Sequence, residues 1–512
     1  MKYQKVLIIL IFLLGVFLRL YQLNQTPPGL DVDEASFVYH ANSLLHTGMD
    51  RYGQVFPLAF RSFGTYLQPV YVYLEIIPVA LFGLNVFSGR IVAVVFSILL
   101  LLITYFLLPK AKIVTLLLLS ISPWAIFFGR GGHEATVALT LFIISILLFL
   151  KSLSNPKLII LVALIVGIAS ETYYTEWYLS LIFFPGLLWI YRDKFIKQKR
   201  YLILGLSIFL ITQIPHLILL LSDAFTRRIS QVNYFNQPFF GIIRDFVSHY
   251  LEYFSPGSLF FNPDPQLAKS MPDLSIFYWW MIIPLLLGVK QLLKEHGEFA
   301  KILTVLLILS PIPGALTKDP FYSMRALELF WGLTIVAGLG ADYLLKLITS
   351  RVLKTVLIGA VLTISLISFY TSYFVLLKYE REDNYGYQYQ QLVEKLKSYP
   401  RSQIVLDSGR FTGVHIWIPF YSHTDPRKFQ AQVSSEIKNN YYNDSNLDEV
   451  TKIDNLQIRP IFWKGDLGNS KILIGDDLAI SRDQIYDHHL TPVFQITGLD
   501  GKVRLKAYQT PP

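Results

Sequence analysis

The sequence predicts a polytopic α-helical membrane protein with a small α/β region at its carboxyl end. Two observations carry this expectation. Of 512 residues, 53% are hydrophobic and only 16% charged, whereas a water-soluble protein usually carries about a quarter charged residues. The apolar residues are gathered into long runs, and beyond about residue 379 the composition turns polar, rich in Asn, Asp and Tyr.

A helix needs about 20 apolar residues to cross the hydrocarbon layer. The runs that approach this are 4–22, 86–108, 113–129, 134–151, 157–174, 177–191, 201–221, 276–294, 300–316, 326–347 and 354–377, or about 11 transmembrane helices. Residues 6–18 are followed by Arg19 and Tyr21 without a small-residue cleavage site, so the first span is expected to stay as an anchor. The chain has no cysteine, which excludes disulfides and thiolate metal sites.

The net charge of +9 reads as loop cations that orient the helices rather than as a nucleic-acid surface. Lys2 and Lys5, Lys110 and Lys112, Lys151 and Lys157, the cluster from Arg192 to Arg200, Lys290 and Lys294, and Lys346, Arg351 and Lys354 all fall on one side of an eleven-span arrangement. The amino terminus is then cytoplasmic and the carboxyl terminus outside. Counting 68–84 as a span would break this pattern. That segment carries Glu75 and Pro78, and is expected to lie in the interface. The predicted division is a transmembrane domain over 1–378, with large outer loops at 23–85 and 222–275, and an extracytoplasmic α/β domain over 379–512.

The outer segments hold the candidate chemistry. Asp33 and Glu34 follow the first span, in the stretch from Pro27 to Ala35. Two adjacent acids at a membrane surface suit a catalytic carboxylate with a partner. They equally suit a helix start, with Asp33 as cap and Glu34 in the first turn, and the two roles can coexist. From Glu34 to Leu45 the spacing of Ala35, Val38, Asn42 and Leu45 predicts a short amphipathic surface helix. Arg130, His133 and Glu134 emerge between two spans. Arg130 there could snorkel to headgroups, while Gly131 and Gly132 argue for close backbone approach. Glu171, Tyr173, Tyr174 and Glu176 cluster in 170–178, as a sugar-binding shelf or an interface belt. Segment 222–275 carries Arg227, Arg228, Arg244, His249, Glu252 and Asp264 without a recognisable chemistry, although loops this long usually have a function. Lys318 and Arg325 close the set. A guanidinium at headgroup depth can take a phosphate bidentately, or merely snorkel.

An ordered series of segments then carries a family resemblance. After Asp33-Glu34 come Thr47-Gly-Met-Asp-Arg-Tyr-Gly53, Tyr66-Leu-Gln-Pro-Val-Tyr-Val-Tyr73, Phe82-Gly-Leu-Asn-Val-Phe-Ser-Gly-Arg90, Ser122-Pro-Trp124 and Arg130-Gly-Gly-His-Glu134. This order resembles the GT-C membrane glycosyltransferases of the family 39/83 type, which include protein O-mannosyltransferases and the lipid A aminoarabinose transferase. The resemblance spans about residues 1–375 and is strongest over 27–134. It implies transfer of a sugar from a polyprenyl phosphate to a protein, lipid or glycan acceptor outside the cytoplasm. It makes Asp33 the general base and Glu34 its neighbouring acid. Glu134, with His133 and Arg130, falls where the family has a further functional acid, although some members carry aspartate in a different local sequence. Arg325 and Lys318 would hold the donor phosphate, and Tyr66, Tyr71, Tyr173 and Tyr174 would touch sugar. Asp31, Asp33, Glu34 and Glu134 would offer hard oxygens to a divalent cation. Family members differ in metal use, and no nucleotide or redox cofactor is implied.

Two other readings compete. A transporter or flippase for lipid-linked glycans should bury ionisable groups near mid-membrane, whereas here the acids gather at one surface. A polymerase or ligase for lipid-linked glycans would work at the same face without the early acid pair. In the tail, Tyr385–Tyr399 predicts a helix. Strands are expected at 403–406, 415–418, 471–474, 493–496 and 503–507, in a region serving either as acceptor-binding lid or as structural cap.

Overall fold

The computed structural model describes residues 2–222, 230–411, 413–443 and 451–512. Arg227 and Arg228 lie outside the described residues. Each predicted span coincides with helix, and the chain is a multi-pass membrane protein. Among the described residues six helices are long and apolar enough to cross a membrane: Tyr3–Leu20, Ser88–Leu107, Glu134–Ser152, Glu298–Ala315, Ser323–Leu347 and Arg351–Glu380. Two bent pairs bring the number to eight: Lys112–Ile121 with Pro123–Arg130, at 57°, and Arg192–Thr212 with Ile214–Leu220, at 50°. Both breaks lie beside a proline, Pro123 or Pro215, which has no N–H to continue the ladder and clashes with the preceding turn. The other predicted spans are the shorter helices Pro156–Ser170, Tyr174–Ile190 and Trp279–Leu292.

The chain divides into two compact units. The first comprises Met1–Leu23, Gln68–Tyr71 and Arg90–Tyr373; the second comprises Asn24–Leu67, Val72–Gly89 and Phe374–Pro512. Most of the first loop therefore belongs with the tail.

In the first unit, Ser323–Leu347 is the central helix, with 83% of its apolar window buried. It crosses the helix Ile282–Leu292 on glycines. A Cβ on Gly340 would lie 1.8 Å from the Pro284 carbonyl oxygen, and one on Gly288 would lie 1.8 Å from that of Val336. Lipid offers no hydrophobic drive for helix pairing, so such small-residue contacts supply close packing in its place.

The second unit contains a hairpin and a mixed sheet. The hairpin pairs β1 (Phe60–Ser62) with β2 (Thr65–Leu67). The sheet comprises β3 (Ile404–Leu406), β4 (Lys452–Ile453), β5 (Leu456–Ile458), β6 (Ile472–Gly475), β7 (Thr491–Thr497) and β8 (Val503–Gln509), in the order β4-β5-β3-β6-β8-β7. β3 runs parallel to β5 and β6, and the remaining pairs are antiparallel. β3 and β6 are buried at every residue, as expected of strands covered on both faces. Val405, Leu473, Ile480, Leu490 and Tyr508 form a core against the sheet.

Two sequence expectations are corrected here. His415–Ile418 is not a strand but part of the helix Val414–Tyr421, buried from Val414 through Phe420. A short apolar run buried on all sides has no periodicity to separate helix from strand. The early amphipathic helix is Val32–Thr47, buried continuously from Glu34 to Leu44 rather than on one face. Its covering comes from the tail: Trp417 Nε1 donates to the Leu30 carbonyl at 2.8 Å, and the Tyr39 hydroxyl to that of Thr424 at 2.9 Å.

Gly340→Ala is expected to cost about 1–3 kcal/mol by overpacking. Gly359→Ala, in a helix interior with nothing within 4 Å of the new Cβ, should be neutral or gain up to about 1 kcal/mol. Thermal unfolding of the two variants in one detergent checks the contrast.

Candidate active site

The second unit holds Asp33, Glu34 and Tyr66. The first holds Tyr71, Arg130, His133, Glu134, Tyr173, Tyr174, Lys318 and Arg325.

Around Asp33 the cap is displaced from its expected residue. The N-cap of Val32–Thr47 is Asp31, not Asp33. Asp31 Oδ1 accepts from the Glu34 N–H at 2.8 Å, and Glu34 Oε2 accepts from the Asp31 N–H at 2.8 Å. This reciprocal box satisfies two of the backbone donors that a helix start leaves over. Glu34 is buried within it, whereas Asp33 is partly exposed. The entering chain is fixed by Gly29 at φ +94°, where a Cβ would strike the Tyr385 carbonyl oxygen at 2.3 Å.

The 47–53 loop is locked to the tail through Asp50. Asp50 Oδ2 accepts from the Tyr441 hydroxyl at 2.6 Å, and Oδ1 accepts from the Tyr52 and Gln54 N–H groups at 2.9 Å each. Gln430 Nε2 donates to Thr47 Oγ1 and to the Asp50 carbonyl. Tyr66 is also held here: it is 3% exposed and donates to the Tyr441 carbonyl at 2.5 Å.

In the first unit, Arg130 is buried rather than reaching for headgroups. Its Nη1 donates to the Leu18 carbonyl at 2.8 Å, and its guanidinium lies 5.0 Å from the Tyr373 ring centroid. Tyr373 belongs to a π-helical turn, Tyr370–Leu376, a feature frequent at functional sites. His133 lies against Gly131, where a Cβ would meet its ring at 2.6 Å, and its Nδ1 is 3.4 Å from the Lys269 Nζ. Glu134 opens the next helix.

Arg325 sits in the turn Ser323–Ala326. Its Nη1 donates to Thr317 Oγ1 at 2.6 Å and to Asp319 Oδ2 at 2.8 Å, and its guanidinium lies 4.4 Å from the Tyr322 ring centroid. Among the described residues its Nε and Nη2 make no hydrogen bond, which leaves the edge that grips a phosphate bidentately. Asp264 supports the turn by accepting from the Ser323 N–H at 2.6 Å, so part of the 222–275 segment holds Arg325 in place. Lys318 is exposed and donates to the Ser230 and Gln231 carbonyls at 3.2 and 3.0 Å.

Arg325, Glu134, Glu176 and Tyr322 all lie within electrostatic reach of the buried Tyr173. Glu176 and Glu328, both buried, neighbour one another. In the 170–178 cluster, Glu171 Oε1 is 2.5 Å from His216 Nδ1, and Trp177 stacks on that imidazole at 4.9 Å. Tyr71 is fully buried, while Tyr174 is half-buried with its ring edge on His216. Glu328, Asp319 and Lys269 carry no signal of their own that singles them out in the sequence, and Asp264 stands there without an assigned role. Glu328 could have been found from its position three residues after Arg325, on the same helical face.

Of the four acids that the resemblance offers to a cation, Glu134 belongs to the first unit and Asp31, Asp33 and Glu34 to the second. Asp31 and Glu34 are committed to the helix cap, and among the described residues no three His, Asp or Glu side chains come together as metal ligands.

No family model matches the chain, and no curated protein sequence matches it. Among solved structures it is similar to ArnT from Cupriavidus metallidurans bound to undecaprenyl phosphate, with TM-score 0.58 and 12% identity, over 99% of this chain and 98% of that one. The apo state of ArnT gives 0.56 at the same identity and coverage. The chain has the ArnT fold. This is the GT-C architecture that the ordered segments implied. The oligosaccharyltransferase AglB from Archaeoglobus fulgidus is a more partial likeness, at TM-score 0.45 and 12% identity over 82% of this chain and 63% of that one.

Burial lifts the Asp50 carboxyl from its ordinary 3.8 to about 6, against the opposing pull of the Tyr441 hydroxyl and two backbone N–H groups. A folded-state pKa above the unfolded one means that the folded chain holds a proton which the unfolded chain releases. This group's contribution to stability therefore falls as pH rises from about 4 to about 6, by up to about 3 kcal/mol. His40, 3.6 Å away, is pushed well below its usual range by burial and works in the opposite direction. Unfolding midpoints of Asp50→Asn and the parent between pH 4 and 7 should diverge with this sign. Parallel curves would remove the assignment.

Proposed function

We propose that this chain is a membrane glycosyltransferase that moves a sugar from a polyprenyl phosphate to an acceptor at the extracytoplasmic face. The observation that carries this reading is the ArnT fold over 99% of the chain, the solved relative being bound to undecaprenyl phosphate. The partly exposed Asp33, beside a capping pair that fixes its backbone, supports its role as base.

In the proposed reaction an acceptor hydroxyl or amine attacks the anomeric carbon. Asp33 takes the acceptor proton. The bond from that carbon to the phosphate oxygen breaks, and the polyprenyl phosphate leaves with the electron pair. Attack opposite the phosphate inverts the anomeric centre. Glu34 acts as a positioning residue, since its carboxylate is used in holding the helix start. The Nε–Nη2 edge of Arg325 meets the departing phosphate, with Lys318 as an outer cation. A fixed cation of this kind needs no reorganisation as charge develops. Glu134 and Tyr174 would line the sugar or acceptor. No step is routed through a metal ion.

The arrangement in the membrane follows from the loop cations. With eleven crossings the amino terminus is cytoplasmic, Pro69–Phe82 lies in the interface, and the region after residue 378 is extracytoplasmic, in the cell membrane. A reporter fused after residue 378 should be active only outside the cytoplasm; cytoplasmic activity would reverse the orientation.

In membranes supplied with labelled polyprenyl-phosphate sugar, Asp33→Asn should lower transfer by about 10²–10⁴-fold. Arg325→Gln should lower kcat/KM for the lipid donor by about 10–100-fold, the worth of a charge-assisted hydrogen bond. Transfer at the parent rate by Asp33→Asn would remove Asp33 from the base role.

A further inference from the structure

The first unit contains a half-open cleft of about 380 Å³ between the helices around Phe149, Val162, Phe184, Leu206 and Phe209, within the roughly 300–1,000 Å³ range of ligand sites. Its lining is apolar except at two places. Ser180 presents a buried hydroxyl without a hydrogen-bond partner among the described residues, and Arg192 stands at its charged end. Arg192 is exposed, with its guanidinium 4.9 Å from the Trp189 ring centroid. Lys194, Lys197, Lys199 and Arg200 follow it, all exposed. Among the described residues no carboxylate pairs with Arg192, Lys194 or Lys197.

We propose that this cavity is a binding site for an anionic glycerophospholipid, its acyl chain in the apolar cavity and its phosphate on Arg192 and the neighbouring lysines. Charge complementarity argues for the headgroup: a cluster of exposed cations directly beside an apolar cleft between membrane helices suits an acidic lipid rather than a neutral one. Position argues against the sugar donor. Phe149 lines the cavity, while Glu134 begins the same helix. Fifteen residues at 1.5 Å each set them about 22 Å apart. The lipid therefore sits toward the opposite end of that helix from Glu134 and is not consumed. It would brace the helix that carries Tyr174 and Glu176.

The test uses the full chain purified in neutral detergent, titrated with phosphatidylglycerol or phosphatidylcholine and followed by thermal unfolding and native mass spectrometry. Phosphatidylglycerol should raise the unfolding midpoint and remain bound as a single adduct, and phosphatidylcholine should do neither. The exposed triple variant Arg192→Gln, Lys194→Gln, Lys197→Gln should weaken apparent binding by at least tenfold. Ala163→Phe, which fills the cavity, should do the same if its own midpoint without lipid matches the parent's. Equal response to both lipids would overturn the proposal. So would loss of binding in the charge variant but not in a folded Ala163→Phe, since that pattern is surface attraction alone. Competitive displacement by undecaprenyl phosphate, sensitive to the same variants, would assign the cavity to the donor and overturn it likewise.

Discussion

A buried arginine at a proline break organises the first unit. Pro123 has no N–H, so the carbonyl of Leu119, four residues earlier, loses its helical partner. In a membrane interior such a carbonyl has no water to turn to. Arg19, with no exposed surface, supplies the donors: its Nη2 lies 3.4 Å from the Leu119 carbonyl, its Nη1 3.4 Å from that of Ser120, and its Nε 2.6 Å from Ser97 Oγ. The 57° bend is thereby stabilised rather than merely tolerated. The half-helix Pro123–Arg130 then runs close over Ser97, where a Cβ on Gly129 would strike Oγ at 2.2 Å. Arg130 arrives at the Leu18 carbonyl, one residue from Arg19. The end of the first helix is thus gripped by two guanidiniums, and the turn leading to His133 and Glu134 is fixed by them. Arg130 therefore helps to hold the fold within a segment of functional appearance.

The second unit fixes Asp33 by a different device. A capping box between Asp31 and Glu34 defines the helix start, and contacts from the tail bury nearly the whole helix behind it. Trp417 is central among them. It stacks between Tyr389 and Phe411, with ring centroids at 5.3 and 5.2 Å, and still reaches the Leu30 carbonyl. The tail consequently acts on the candidate base through packing. An acceptor-binding role for the tail would be additional to this one.

The helices were legible because hydropathy reports a solvent, and a bilayer imposes a length on apolar runs that a short window detects. The acid pair was legible as a helix start for a similarly local reason. The cap register was off by two residues because Asp31 and Asp33 are equally good caps by type, and only the reciprocal bond to Glu34 chooses between them. The helix at Val414–Tyr421 was missed because uniform burial erases the period that separates helix from strand. The union of the first loop with the tail had no local signal at all. Tyr441 and Asp50 are 391 positions apart, and neither residue type announces the other. The role of Asp264 under Arg325 was hidden for the same reason, within a loop whose length hinted at function but whose composition named none.

The electrostatics around Arg325 follow from how its charge is divided. Asp319 and Thr317 hold one nitrogen, which fixes the plane of the guanidinium and partly neutralises it. A cation fully matched by a carboxylate would have little left for a phosphate, but the pairing uses Nη1 only. The far edge keeps the paired N–H geometry that suits an oxyanion.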